Sequence, residues 1–239
     1  MRLFIALALA VGAHDMAPAQ PGAIPSDNQG AESTQIDPDA NKLERAVGLI
    51  KAGQPADGIG LLDEIITTLE ARHPEHSRQF FCARSMPETI VYAGMAVKTK
   101  QAVAVLDQTW CYSYFYKGYA LIDLGRRDEA KPYFDKAVAL APMNAQFLAE
   151  RGEWYKSRKD WDAAYKDFEA AASYANFSPE RVKSFEQRRG WRGMAYVRTE
   201  QGKLDEALGL LQECLKLEPS DDKCQHEVSY VNGLKSKAN

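Results

Sequence analysis

Residues 118–142 read GYALIDLGRRDEAKPYFDKAVALAP. Two helices with apolar periodicity are legible here, parted by Gly125, yet positions that should face their core hold glycine and alanine among the large side chains. The pattern returns 34 residues later, where Gly152, Ala164, Phe168 and Ala171 stand in the register of Gly118, Ala130, Phe134 and Ala137. Such a period marks an array of helix pairs, each with an apolar face left uncovered until the next pair stacks on it. Helix axes in such an array must come close. The spacing therefore predicts that Gly118 and Gly152 sit where the first helix of a pair meets the second, with Ala130 and Ala164 facing them. Phe134 and Phe168 fill the space one turn on, and Ala137 and Ala171 make room for the next pair. Pro142 closes the second helix, and Gly125 supplies the turn.

The pattern resembles the tetratricopeptide repeat family, built from 34-residue helix-turn-helix units. The clearest unit spans 111–144, with Tyr114, Gly118, Leu121, Gly125, Ala130, Phe134, Ala137 and Pro142 at the family spacings. The next, 145–178, keeps Leu148, Gly152, Tyr155, Ala164, Phe168 and Ala171, but has Asn176 where proline is usual and Pro179 three residues late. A third, 188–221, carries Trp191, Ala195, Gly202, Ala207, Leu211, Cys214 and Pro219. The step from Phe168 to Leu211 is 43 residues, so 179–187 is an insert. With Ser178 as N-cap it reads as extra turns on the front of a first helix, about 13 Å of added length. Two uses stay open for it: a partner-contacting lip, or a cover for the edge of the preceding repeat.

The expected fold is all-α, a solenoid of tetratricopeptide-like repeats ending in a capping helix over 222–239. Upstream, 38–110 reads as degenerate helical repeats. Ala46, Leu49, Gly53, Leu62 and Ile65 hold the register, although Gly58 replaces the usual alanine. Ser85 to Glu88 form a capping box that starts a helix, preceded by a short helical piece holding Phe80, Phe81 and Cys82. AVAVL at 102–106 is the one ambiguous, strand-like run.

The first residues, MRLFIALALAVGAHDMAPAQ, place Arg2 before an apolar run from Leu3 to Ala13 and a small-x-small site at Ala17 to Ala19. This is the layout of a cleavable secretory signal over 1–19, the run being too short to cross a bilayer. A Pro/Gly/Ser-rich flexible linker follows over 20–37. The expected product is periplasmic or secreted, of bacterial type, with no membrane insertion after cleavage. Net charge is −3, and Lys and Arg are interspersed with acids, which argues against a nucleic-acid partner. All four cysteines, Cys82, Cys111, Cys214 and Cys224, are disulfide candidates in such a compartment. Nearness in sequence favours 82 with 111 and 214 with 224. Zinc is disfavoured, because no CxxC pair or Cys/His cluster has ligand spacing.

No catalytic motif is present: GxSxG, the P-loop, GxGxxG and HExxH are all missing, and His226-Glu227 lacks a second histidine. His73 and His76 read as plain loop residues. A non-enzymatic protein with no cofactor and no metal is expected. What the resemblance implies instead is recognition of a protein or peptide on a concave face lined by the first helix of each pair. The positions it assigns to that face are Tyr112, Phe115, Tyr119, Ile122 and Asp123, then Gln146, Ala149, Glu153, Lys156 and Ser157, then Arg189, Arg192, Tyr196, Thr199 and Glu200. Tyr112, Phe115 and Tyr119 would be apolar anchors, and Arg189 and Arg192 would receive acidic groups of the partner. The alternative reading is a structural subunit of an envelope complex, assembling through its outer face or the extended helix.

Overall fold

In the computed structural model, residues 37–74 and 78–238 are described; the expected signal over 1–19, almost all of the expected linker over 20–37 and His76 lie outside them. Helix hairpins follow one another along the chain. The first is α1 (Pro38–Lys51) with α2 (Pro55–Arg72). Three more follow: α4 (Thr109–Asp123) with α5 (Arg127–Leu140), α6 (Ala145–Ser157) with α7 (Trp161–Tyr174), and α8 (Glu180–Glu200) with α9 (Leu204–Leu217). A last helix, α10 (Asp222–Ala238), packs on α9. The local causes are ordinary ones. Proline opens α1 and α2, and Asn144 and Asp160 cap α6 and α7 by accepting from the backbone N–H of Phe147 and Ala163, each at 3.2 Å. Three hairpin turns use glycine in the left-handed region, Gly53, Gly125 and Gly202; the α6–α7 turn puts Lys159 there, at φ 58°.

Small residues do the work foreseen for them. A Cβ on Gly118 would lie 2.8 Å from the Phe134 ring, and one on Gly152 would lie 3.0 Å from that of Phe168. Each phenylalanine therefore rests directly on the backbone of the facing helix. Phe134, Phe168, Ala130, Ala164, Ala137 and Ala171 are completely buried. Burial of each ring stabilises the fold by roughly 1.5–3 kcal/mol, more than a glycine in a helix costs. Between hairpins the approach is closer still. Cβ atoms on Gly190 and Gly193 of α8 would stand 2.6 Å from Ala172 N and 2.3 Å from Phe168 Cδ1 of α7.

The segment 38–110 departs from its expected form of degenerate helical repeats. Its first part is a regular hairpin, α1–α2, and α4 stacks directly on α2, so the array runs on without a gap. The rest leaves the array as a β-α-β arm: β1 (Gln79–Cys82), α3 (Met86–Thr99) and β2 (Val103–Leu106). The strands pair in parallel with Gln79 opposite Val103 and Cys82 opposite Leu106. Phe80, Phe81 and Cys82 are thus strand, not helix. Aromatic and β-branched residues at both ends of a helix of crossover length favour this pairing over an isolated helical turn. The Ser85 cap forms, its Oγ accepting from Glu88 N at 3.2 Å, but the Glu88 carboxylate reaches back to Arg84 N at 2.6 Å.

Two insertions, 102 residues apart, meet. Arg84 of the arm donates to Glu186 of the α8 extension at 2.7 Å and 3.2 Å, to Glu88 at 3.2 Å, and to Ser178 Oγ at 3.1 Å. Ser178 in turn donates to Glu186 at 2.6 Å. The side chains of Arg84, Glu88 and Glu186 are at most 5% exposed. Tyr92 stacks on Phe81 at 4.9 Å, and its hydroxyl accepts from the Met143 backbone N–H at 3.0 Å. The inward edge of the extension thus covers the arm, while Phe185 stays 40% exposed on its outer edge.

Candidate partner-binding face

Side chains from the first helices α4, α6 and α8 converge on one face, and α10 extends it. Tyr119 and Asp123 of α4 lie near Glu150 of α6, which accepts from Arg189 of α8 at 2.6 Å. Burial and the neighbouring Glu150 charge raise the Asp123 pKa; burial, Asp123 and Glu150 raise that of Tyr119. Lys156 pairs with Glu153 and stands 4.5 Å over the Tyr196 ring, as a cation on a π face. Tyr196 is 42% exposed, and Tyr230 of α10, its electrostatic neighbour, is 58% exposed.

Two buried polar atoms on this face, Glu150 Oε1 and Arg192 Nε, have no hydrogen-bond partner among the described residues. Glu150 is 4% exposed, and its Oε1 has no hydrogen bond although Oε2 is bound to Arg189. Arg192 makes no hydrogen bond or ion pair among the described residues, and its Nε is buried. Burial lowers the Arg192 pKa, with Glu227 of α10 opposing and Arg189 and Arg188 adding to the shift. Burial likewise raises the Glu227 pKa against the pull of Arg192 and Lys156. A buried polar group without a partner costs about 1–3 kcal/mol, which a bound ligand can recover.

The sequence-derived positions divide accordingly. Tyr119, Asp123, Glu153, Lys156, Arg189, Arg192 and Tyr196 come together on the face. Phe115 does not: it is 3% exposed, stacked on Phe147 at 4.8 Å, and belongs to the core. Tyr112 is half-buried, edge-on to Phe147 at 4.9 Å, and its hydroxyl donates to Gln146 Oε1 at 3.0 Å. The reason is that Phe147 at the start of α6 inserts between these rings, while Phe134 of α5 lies against Phe115 from the other side, so the ring is enclosed within the stack of hairpins. Arg189 is matched by Glu150, whereas Arg192, which faces Glu227 without an ion pair among the described residues, is the better placed of the two to receive an acidic group. His73 lies in the loop that follows α2, as expected, and packs there on Phe80 at 4.9 Å and on Trp110 at 5.6 Å.

Glu150, Glu227 and Tyr230 were not foreseen. Carrying the 34-residue register one unit past 188–221 would have found two of them. Tyr230 then falls at the position of Tyr119 and Tyr196, and Glu227 at that of Glu150. Reading 222–239 only as a polar cap hid this. The cap is itself tied down by a disulfide between Cys214 and Cys224. Asp221 lies close to both sulfurs, and its carboxylate pairs with Arg188. With both thiols oxidised, that trio is not a metal site.

The tetratricopeptide repeat family model matches residues 111–144. No curated protein matches the sequence. Among solved structures, PilF of Pseudomonas aeruginosa is similar at 12% identity and a TM-score of 0.57, over 83% of this chain and 69% of that one. MamA of Desulfovibrio magneticus RS-1 is 16% identical with a TM-score of 0.55, over 83% and 85% of the two chains. A putative kinesin light chain of Podospora anserina with nearly identical TPR-like repeats is 14% identical with a TM-score of 0.55, over 83% and 89%. At these identities the likeness is one of fold.

Proposed function

Because the chain carries a tetratricopeptide repeat and folds as a tetratricopeptide-repeat solenoid, we propose that it is an exported, non-catalytic scaffold that docks a protein or peptide on the face of α4, α6, α8 and α10. Repeat solenoids of this kind generally mediate protein–protein interaction through such extended surfaces. The observation that carries the reading is the pair of unsatisfied buried atoms on that face, Glu150 Oε1 and Arg192 Nε, beside the exposed rings of Tyr196 and Tyr230. An acceptor, a cation and flanking aromatics fit a segment that offers an N–H or O–H donor, a carboxylate and apolar side chains. Export is supported by the signal-like layout of 1–19 and by the Cys214–Cys224 disulfide, a bond that persists in oxidising compartments. No described helix is long and apolar enough to cross a membrane.

The test is a crosslinking pull-down from native cells, comparing wild type with a triple variant, Arg192→Ala, Tyr196→Ala and Tyr230→Ala, whose helical content and melting are checked first. Capture of a defined partner should fall by about tenfold or more. Full retention of every partner would remove this face from consideration.

A second reading, assembly as a structural subunit, is favoured by an apolar stripe outside the face. Met86, Ile90 and Val97 of α3 are 70%, 65% and 86% exposed, and Phe185 adds an exposed ring on the α8 extension. That reading predicts copurifying subunits that are lost on Met86→Ser, Ile90→Ser and Val97→Ser substitution but kept by the triple groove variant.

A further inference from the structure

Cys82 and Cys111 are thiols in the structure, and both are buried, at 0% and 1% exposure, in the same core cluster. Their placement follows from the arm's topology. Cys82 is the last residue of β1 and pairs with Leu106 at the end of β2. From Leu106 the chain turns through Asp107 and Gln108 into α4, whose first turn carries Cys111, and β1 packs against that helix. The turn returns Cys111 to the end of the strand it started beside. The Cys111 thiol lies in the immediate neighbourhood of Cys82 and donates to Gln108 O at 3.4 Å.

We propose that Cys82 and Cys111 form a second structural disulfide, which closes the β-α-β arm on the solenoid at the point where both of its ends return. The remaining cysteines already form their own bond, so no competing pairing is left within the chain. The reaction is a two-electron oxidation by a disulfide-class oxidant. One thiolate attacks the oxidant's S–S bond and releases one reduced thiol; the second cysteine then attacks the mixed disulfide, forming S–S and releasing the other. Two protons leave the protein and two electrons pass to the oxidant.

Burial sets when this happens. An attacking thiolate needs access and a deprotonated sulfur. Burial raises the Cys111 pKa, with the adjoining Cys82 adding to it. The bond therefore forms before the arm closes, and in the folded protein it is shielded from reductants. The arm would then be held twice, by the sulfur bridge at its base and by the Arg84–Glu186 contact to α8.

The experiment uses the chain from 20 to 239, reduced in urea and refolded in a buffer of reduced and oxidised glutathione. It is then denatured, alkylated and digested without reductant. The proposal predicts no alkylated cysteine and a peptide pair joining 82 to 111. Alkylation of both Cys82 and Cys111 beside an intact 214–224 bridge would overturn it, as would bridges crossing to 214 or 224. A second arm starts from reduced, folded protein. Oxidised glutathione should close 82–111 at least about 100-fold more slowly than in the urea-unfolded chain. Equal rates would refute the claim that closure precedes burial.

Discussion

Replacing Arg84 with methionine tests whether the two insertions hold each other. The guanidinium makes hydrogen bonds to both oxygens of Glu186, to Glu88 and to Ser178, and none of the three charged side chains is more than 5% exposed. Methionine conserves most of the volume but leaves two carboxylates facing each other out of water. Removing one partner of a buried ion pair costs about 3–5 kcal/mol at neutral pH. With an urea m-value of about 2 kcal/mol/M, the unfolding midpoint should fall by roughly 1.5–2.5 M. Burial already raises the Glu88 pKa above the ordinary carboxylate range, with Arg84 pulling the other way. Without Arg84 it should rise further. A carboxyl whose folded pKa is raised binds more protons in the folded state, so its contribution is lost as pH rises through that pKa. The penalty of Arg84→Met should thus be larger at pH 7 than at pH 5, and adding Glu186→Gln should relieve part of it. Urea unfolding followed by circular dichroism at both pH values gives the magnitude. Hydrogen exchange should show α3 and 178–187 losing protection together. A loss below about 1 kcal/mol, or one equal at both pH values, would refute the electrostatic account of the contact.

Further outcomes follow from the backbone and the cap. Gly193→Ala pushes a methyl against Phe168 and should destabilise by about 1–2 kcal/mol even after the gain in helix propensity. Gly60→Ala and Gly209→Ala, in helices with open space around the site, should stabilise by about 0.5–1 kcal/mol in the same denaturation assay. Lys159→Gly relieves a left-handed lysine in the α6–α7 turn and should raise stability by about 1 kcal/mol, read as an upward shift in melting temperature. Reducing Cys214–Cys224, or replacing both with serine, should cost about 2.5–3 kcal/mol for a loop of this size, with the loss of exchange protection concentrated in α10.

The repeat was legible because it is written locally and redundantly. Gly118 against Phe134 and Gly152 against Phe168 recur at one spacing, and the close approach they permit is what the structure contains. The arm was not legible in the same way. QFFC and VAVL are four-residue runs, too short for periodicity to tell strand from helix, and each becomes a strand only by finding the other across α3. Contacts such as Arg84 to Glu186 join residues remote in sequence, each of which reads alone as a solvated charge. On the candidate face, position within the repeat placed Tyr119 beside Arg189, and Arg192 and Tyr196 beside Glu153. It misplaced Phe115, because the register does not show that Phe147 of the following hairpin and Phe134 of its own enclose that ring.

The central claim is that the partner docks on the face of α4, α6, α8 and α10. Its most direct test places a photo-crosslinking amino acid at Tyr196, and in a second protein at Glu169, an exposed position on the second helix of the α6–α7 hairpin. Irradiation in living cells should give a discrete adduct from position 196 that weakens when Arg192 is changed to alanine, and none from 169. An adduct at 169 with none at 196 would contradict the account and move the interface to the opposite side of the solenoid.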